Sequence, residues 1–189
     1  ITVKKVLVSD INKDRSIDKG LLTDNIDDII NDNDIDVVIE VLGRIDPGKE
    51  YIKSLLSSGK SVITANKDII ANCGKELIEL AQKHNTNLYF EAAVAAGIPV
   101  LKPLIENLRA EELTRVSGII NGTSNFILTA MEEGSSYKDA LKDAQELGYA
   151  EPDPTNDVEG IDAKYKAIIL SMICFGATPT NDDVFTKGI

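Results

Sequence analysis

The chain has 189 residues, of which 43% are hydrophobic and 27% are charged, a balance typical of a soluble globular protein. Its formal net charge of −11 argues against a nucleic-acid partner, because phosphates need a basic surface. No apolar run approaches the roughly 20 residues that a membrane helix needs. Two cysteines and one histidine supply no zinc ligand cluster, and we expect the cysteines to stay reduced.

Strands and helices alternate in the first ninety residues. Apolar β-branched runs predict strands at 3–8, 36–41, 61–64 and 87–91, and helical periodicity predicts helices at 24–31, 47–58 and 66–82. The run at 36–41 is continuous and apolar, which is typical of a strand buried on both faces of a parallel sheet. The alternation predicts an α/β fold with right-handed crossovers.

The second half of the chain is mainly helical. We predict a strand at 113–120 and helices at 99–108, 126–133, 136–147 and 161–175. The segment 148–160 is polar and irregular, and the polar tail 177–189 has no clear partner. A boundary near Asn107 therefore separates two predicted domains, residues 1–107 and 108–189.

No two glycines are spaced G-x-G, although dinucleotide-binding folds normally open with a glycine-rich turn after the first strand. Either this is not a nucleotide-binding fold, or its first strand and phosphate loop precede the chain. The strand that ends at Asp10 favours the second interpretation, because an acid at the end of the second strand binds a ribose hydroxyl in such folds. Asp10 as a simple turn residue stays an alternative.

Asp162 and Lys166 lie four residues apart on the predicted helix 161–175, and therefore on one face, beside an apolar stripe that continues at Ile169 and Ile173. A lysine between an apolar stripe and a carboxylate can donate or accept a proton. An ordinary surface ion pair is the alternative.

Two further regions follow predicted strands. Gly43 and Lys67 lie just beyond strand ends, at the edge where open α/β sheets bind ligands, although a turn glycine and a solvated lysine are the plain alternatives. Residues 121–125 (NGTSN) form a strand-to-helix junction, where Thr123 or Ser124 can cap the helix and leave N–H groups for a carboxylate.

With these residues in view, the chain closely resembles homoserine dehydrogenase. The matching segments run in the family's order and cover most of the chain: TANK at 64–67, EAAVAAGIPVL at 91–101, GIINGTSNFIL at 118–128 and LGYAEPDPTNDVEGIDAKYK at 147–166. The last segment is long and highly specific.

The resemblance implies an NAD(P)H-dependent oxidoreductase that reduces L-aspartate 4-semialdehyde to L-homoserine, in the biosynthesis of threonine, methionine and isoleucine. It implies a Rossmann-type NAD(P)-binding domain followed by an α/β catalytic domain that forms a homodimer. A cytoplasmic location, a small-molecule substrate and the absence of nucleic-acid or membrane partners are expected.

The resemblance also implies roles for single residues. Lys166 corresponds to the proton donor, Asp162 to its electrostatic partner, and Lys67 to a lysine between nicotinamide and substrate. Substrate-binding residues are expected at Glu151, Asp157 and Thr123, and cofactor-binding residues at Asp10, Gly43, Asn66 and Lys67. A sodium site is expected at the Glu91 carboxylate and the carbonyls of Val94, Ala96 and Ile98.

Three departures from the family pattern limit what the chain can do alone. The glycine-rich phosphate loop is absent, Gly43 is followed by Arg44 instead of a second glycine, and Ser9 replaces a basic residue before Asp10. We therefore expect an internal fragment with a partial Rossmann-type sheet and an incomplete catalytic domain, inactive by itself. Another amino-acid or semialdehyde dehydrogenase on this scaffold, or a non-catalytic binding or regulatory module, remain alternatives.

Overall fold

The computed structural model describes residues 1–108 and 110–189, which form two compact units. The first unit comprises residues 1–69 and 73–90, and the second comprises residues 70–72 and 91–189. The predicted boundary near Asn107 thus falls inside the second unit, and the assignment of a cofactor-binding and a catalytic domain stays a prediction.

The first unit contains two small parallel sheets, as the alternating pattern predicts. Strand β1 (Val6–Leu7) pairs with β2 (Leu22–Thr23), and a three-stranded sheet has the order β3 (Val37–Glu40), β4 (Ser61–Thr64), β5 (Leu88–Tyr89). The helices between these strands are α1 (Asp27–Ile30), α2 (Gly48–Ser57) and α3 (Lys67–Lys83). The α/β fold class is confirmed.

Only one face of the three-stranded sheet is buried. Val62 on β4 packs with Ile52 of α2 and Leu77 of α3, and all three side chains are fully buried. On the opposite face, Val37 is 50% exposed and Ile39 is 67% exposed. The prediction that the run 36–41 is buried on both faces is therefore wrong, because α2 and α3 supply apolar cover to one face only.

The second unit is helical in its described residues. A short 3-10 turn at Glu91–Ala93 precedes the helices, which are α4 (Leu101–Glu106), α5 (Gly122–Glu132), α6 (Tyr137–Glu146), α7 (Thr155–Val158) and α8 (Ile161–Phe175). Part of its core is an alanine-rich cluster with Ile127 at its centre, where small side chains let α5 and α6 pack closely. Within the described ranges, no helix has the length and hydropathy of a membrane span.

Three predictions for the second half differ from the structure. Residues 113–120 are not a strand: residues 114–119 are exposed, and no strand of the described chain pairs with them, so the ladder hydrogen bonds have no partner. The segment 148–160, predicted to be irregular, contains α7. The tail is not without contacts, because the Ile189 N–H donates to the Val158 carbonyl at 2.9 Å.

Ile52 and Ile39 allow a matched test of the one-sided core. Ile52→Ala should lower the free energy of unfolding by about 2–5 kcal/mol, because it leaves a cavity among fully buried side chains. Ile39→Ala, the same substitution on the exposed face, should cost far less. Urea unfolding of both variants measures the difference, and equal losses would contradict the one-sided packing.

Candidate active site

Asn121 directly precedes helix α5 and is its N-terminal cap. Its backbone is extended (φ −131°, ψ 117°), and its Oδ1 accepts hydrogen bonds from the Ser124 N–H and the Ser124 hydroxyl, both at 2.8 Å. The prediction that Thr123 or Ser124 is the cap is therefore wrong. Thr123 is buried, and its hydroxyl donates instead to the Tyr149 carbonyl at 2.6 Å.

A tight turn at Gly160 joins α7 to α8. Gly160 has a φ of +75°, in the left-handed region that favours glycine, and a Cβ there would lie 2.9 Å from the Thr186 Cγ2. The turn places Asp157, on α7, and Asp162, in the first turn of α8, around the same side chain, that of Asn121.

The Asn121 carboxamide connects these two carboxylates. Its Nδ2 donates to the Asp157 Oδ1 at 2.7 Å and to the Asp162 Oδ2 at 2.9 Å. Asn121 and Asp162 are each 8% exposed, so the second hydrogen bond is formed away from bulk water. An amide nitrogen carries two N–H donors, and here each of them has a carboxylate acceptor.

Lys166 completes this buried polar cluster, which we call the Lys166 cluster (Asn121, Asp157, Asp162, Lys166). Its Nζ lies 2.6 Å from the Asp162 Oδ2 and donates to the Ile120 carbonyl at 2.7 Å. The side chains of Lys166 and Asp162 are only 17% and 11% exposed, so this is not the surface ion pair that the spacing left open.

The ammonium of Lys166 has a third N–H. Two of its donors bind Asp162 and Ile120, and no third acceptor is found for it in the described part of the chain. The arrangement can therefore hold the nitrogen in a fixed position while one N–H remains for an oxygen atom of a ligand.

Glu151, a predicted substrate-binding residue, lies in the loop between α6 and α7. Its side chain is exposed, and its backbone carbonyl accepts a hydrogen bond from the Gln145 Nε2 at 3.2 Å. The structure thus leaves its carboxylate accessible to a solute, but its role stays a prediction.

The Glu91 carboxylate accepts hydrogen bonds from backbone N–H groups at the start of helix α4. Its Oε1 accepts from the N–H groups of Val100 (2.6 Å) and Leu101 (2.9 Å), and its Oε2 accepts from that of Lys102 (2.7 Å). The predicted sodium ligands lie in the intervening loop, where Ala95 and Ala96 adopt positive φ angles of 63° and 49°. Among the described residues, no group of three or more His, Cys, Asp or Glu side chains could hold a metal ion.

In the first unit, Asn66 organises the end of β4. Its Oδ1 accepts from the Ile69 N–H at 3.3 Å and caps α3, and its Nδ2 donates to the Arg44 carbonyl at 2.9 Å. Lys67 is the first residue of α3, and its Nζ lies 3.6 Å from the Asp68 Oδ1. Asn66 therefore connects two loops at the carboxyl edge of the sheet.

The other two predicted cofactor-binding residues also follow strands. Gly43 comes three residues after the end of β3, has a φ of +70°, and a Cβ there would meet no atom within 4 Å. Asp10 is exposed, and its Oδ1 accepts from the Asn12 N–H at 2.8 Å. Both positions are accessible to a ligand.

Asn121 and Glu40 are among the buried polar residues whose contacts sequence reasoning missed. Glu40 is 6% exposed; its Oε2 accepts from the Thr64 hydroxyl at 2.5 Å and its Oε1 from the Leu42 N–H at 2.6 Å. The signal for Glu40 was an acid inside an apolar strand run, which needs hydrogen-bond partners when buried. For Asn121 the signal was an asparagine directly before the helix.

Comparison with known proteins identifies the family. The family model described as "Homoserine dehydrogenase, NAD binding domain" matches residues 1–91, and the model described as "Homoserine dehydrogenase" matches residues 99–189. The chain is 49% identical over 192 residues to the homoserine dehydrogenase of Bacillus subtilis and 47% identical over 196 residues to that of Lactococcus lactis. These alignments cover all of this chain and 44% and 45% of the relatives.

Solved structures agree with the sequence matches. A homoserine dehydrogenase from Thiobacillus denitrificans superposes with a TM-score of 0.90 at 45% identity, covering 98% of this chain and 44% of that one. A hyperthermophilic archaeal homoserine dehydrogenase in complex with NADPH gives a TM-score of 0.76 at 38% identity, covering 82% of this chain and 48% of that one.

The fold and the matches thus define a chain of the dehydrogenase type, with a parallel-sheet unit followed by a helical one. The chain belongs to the homoserine dehydrogenase family. It spans less than half the length of the curated relatives it matches. The matches do not favour the alternatives of another dehydrogenase or a non-catalytic module.

A substitution at Thr64 tests how much its hydrogen bond to the buried Glu40 carboxylate contributes to stability. Thr64→Val removes the hydroxyl that donates to Glu40 and accepts from the Asn66 N–H, and leaving these buried groups without their partner should lower the free energy of unfolding by about 1–3 kcal/mol.

The matched control is Thr86→Val, since the Thr86 hydroxyl makes a 3.3 Å bond to an uncharged carbonyl in the same unit. Thermal unfolding of the two variants gives the comparison. A melting temperature for Thr64→Val equal to or above that of Thr86→Val would contradict the assigned role of the Thr64–Glu40 bond.

Proposed function

We propose that the chain carries the acid–base group of a homoserine dehydrogenase, which reduces L-aspartate 4-semialdehyde to L-homoserine with NAD(P)H. The observation that carries this proposal is the placement of Lys166: a largely buried ammonium with two of its donors bound to Asp162 and Ile120. The family membership supplies the reaction class.

The chemistry requires a positioned acid. Reduction of an aldehyde by hydride places negative charge on its oxygen, and a nearby proton donor neutralises that charge as it develops. The remaining N–H of Lys166 supplies that proton. Once it has left, the neutral amine keeps two N–H groups for Asp162 and Ile120, and its lone pair faces the alcohol product.

Asp162 holds the proposed acid in position. Its carboxylate lies 2.6 Å from the lysine nitrogen in a site from which water is largely excluded, where opposite charges attract more strongly than in water. In the reverse direction, from alcohol to aldehyde, the same pair accepts the proton. Asp162 therefore acts through Lys166 and is a positioning residue.

The substrate is a small zwitterion, and acidic side chains near Lys166 would bind its ammonium group. Within the Lys166 cluster, Asp157 is joined to Asp162 through Asn121, and the carboxylate of Glu151 is exposed in the loop that leads to α7. We assign substrate binding to these two carboxylates, with Thr123 supporting the loop through its bond to the Tyr149 carbonyl.

NAD(P)H supplies the hydride when bound. The chemistry of the first unit fits part of such a cofactor: Asp10 offers acceptor oxygens for ribose hydroxyls, and Gly43, Asn66 and Lys67 lie at strand ends where α/β sheets bind nucleotides. The structure of a relative contains NADPH, which supports this assignment.

A sodium ion is compatible with the Glu91 loop. A carboxylate offers about four acceptor positions, and the Glu91 side chain accepts hydrogen bonds from three N–H groups. Carbonyls of Val94, Ala96 and Ile98, together with the remaining carboxylate position, form the all-oxygen set that a hard cation prefers. The cation would brace the loop, with no part in proton transfer.

The remaining assignments extend the family role to the cell. We propose that the complete enzyme is a cytoplasmic homodimer of amino-acid biosynthesis, acting toward threonine, methionine and isoleucine. Family membership supports the small-molecule substrate, and the net charge of −11 agrees with an enzyme that has no nucleic-acid partner.

Lys166 is tested by two substitutions in the complete enzyme. Lys166→Ala should lower kcat by about 10²–10⁴-fold with little change in NAD(P)H affinity, because it removes the general acid. Lys166→Arg keeps a cation beside Asp162 but should lose activity similarly, since a guanidinium does not give up its proton.

Steady-state kinetics and cofactor titration measure both effects. Lys164→Ala, on the same helix but outside the Lys166 cluster, is the control and should keep its activity. Turnover at the unsubstituted rate in Lys166→Ala would reject Lys166 as the acid.

A substitution at Glu151 tests whether this residue affects substrate binding, measured by KM, or the chemical step, measured by kcat. In the complete enzyme, Glu151→Gln should raise KM for the semialdehyde by roughly 10- to 150-fold, the loss of one charge-assisted hydrogen bond, while kcat changes little. Glu133→Gln, at an exposed position after α5, is the control. A fall in kcat at unchanged KM would contradict the binding role of Glu151.

A further inference from the structure

The least expected member of the Lys166 cluster is neutral. Asn121 lies between two acids, 2.7 Å from one Asp157 oxygen and 2.9 Å from one Asp162 oxygen. Two carboxylates near one another repel, and this repulsion is strongest where water is excluded. A carboxamide with two N–H donors offers one hydrogen bond to each acid without adding charge.

The opposite end of the same side chain is also fixed. The Asn121 Oδ1 accepts from the Ser124 N–H and hydroxyl at the first turn of α5, so the carboxamide cannot rotate without breaking the helix cap. The orientation of its nitrogen toward the two acids is therefore set by α5. Because both ends of this side chain are bonded, it fixes the positions of the two acids relative to the start of α5.

The backbone next to Asn121 holds Lys166 directly. The Ile120 carbonyl, one residue earlier, accepts a 2.7 Å hydrogen bond from the Lys166 Nζ. Two neighbouring residues thus contact both members of the ion pair. The Ile120 carbonyl binds the Lys166 ammonium, and the Asn121 side chain binds the Asp162 carboxylate. Both contacts depend on the same few backbone angles where α5 begins.

From these contacts we propose that Asn121 is a positioning residue that links Asp157 to the Asp162–Lys166 pair, so that substrate binding and orientation of the proton donor are coupled. Asn121 holds Asp162 against Lys166 and presents Asp157 at a fixed distance from them. A ligand ammonium that binds Asp157 then meets an already oriented acid. The catalytic consequence rests on the proposed function, whereas the link itself does not.

The variant Asn121→Ser removes the link to the two carboxylates while keeping a helix cap. Serine is a good N-cap, so Asn121→Ser should keep α5, but its hydroxyl is too short to reach both carboxylates. Asn125→Ser, four residues later at an exposed position of the same helix, is the matched control. Thermal unfolding of the chain checks that the two variants remain folded to a similar degree.

The first readout needs no enzyme activity. In reductive methylation of the chain with formaldehyde and cyanoborohydride, the rate at Lys166 is measured by mass spectrometry relative to Lys164. It should rise on the order of tenfold in Asn121→Ser, because Asp162, no longer held in place by Asn121, moves away from Lys166, and the ammonium then loses about one charge-assisted hydrogen bond. The control should show no rise. An unchanged ratio in a folded Asn121→Ser variant would overturn the link.

The second readout tests its catalytic consequence in the complete enzyme. Asn121→Ser should raise KM for the semialdehyde and lower kcat together, whereas Asp157→Asn alone should raise KM with kcat nearly kept. In the double variant the two effects should be less than additive. Full additivity would overturn the coupling. If methylation changes while every variant and the parent lack dehydrogenase activity, the proposed function fails and the link stands.

Discussion

The proposed function depends on one largely buried ion pair and the atoms that hold it. An ammonium that is mostly removed from water is costly unless nearby oxygens compensate for the lost hydration. At Lys166 the compensation comes from one carboxylate on its own helix and one carbonyl from the junction before α5. Two separate elements must therefore be in place before the lysine can be buried, and this requirement ties the proposed proton donor to the fold of the second unit.

The same constraint explains the turn between α7 and α8. Asp157 and Asp162 are five residues apart, a spacing that does not bring two side chains together on one continuous helix. The left-handed glycine at position 160 interrupts the helix and directs both acids to Asn121. Within the acid-rich segment that is irregular by composition, Asp157 is thus held by the same amide that binds Asp162.

The first unit also contains a buried carboxylate that needs hydrogen-bond partners, at the edge of its sheet. Glu40 is buried at the end of β3, where it accepts hydrogen bonds from Thr64 and from the backbone of Leu42. Asn66 joins the start of α3 to the loop that follows Gly43. In both units, short polar side chains at the ends of elements orient the loops that carry the predicted functional residues.

The sequence alone determined the α/β class, the positions of most helices and strands, and the i, i+4 relation of Asp162 and Lys166, because these follow from local periodicity, capping and turn residues. The family resemblance, later confirmed by the comparisons, came from four separate segments between residues 64 and 166 that run in the family's order. Only the tertiary structure decided that Asn121 caps α5 and bridges two acids 36 and 41 residues away. It also decided that Ile39 is exposed and that residues 113–120 lack a strand partner. These outcomes depend on which distant atoms come within hydrogen-bonding or packing distance, and no local pattern encodes that.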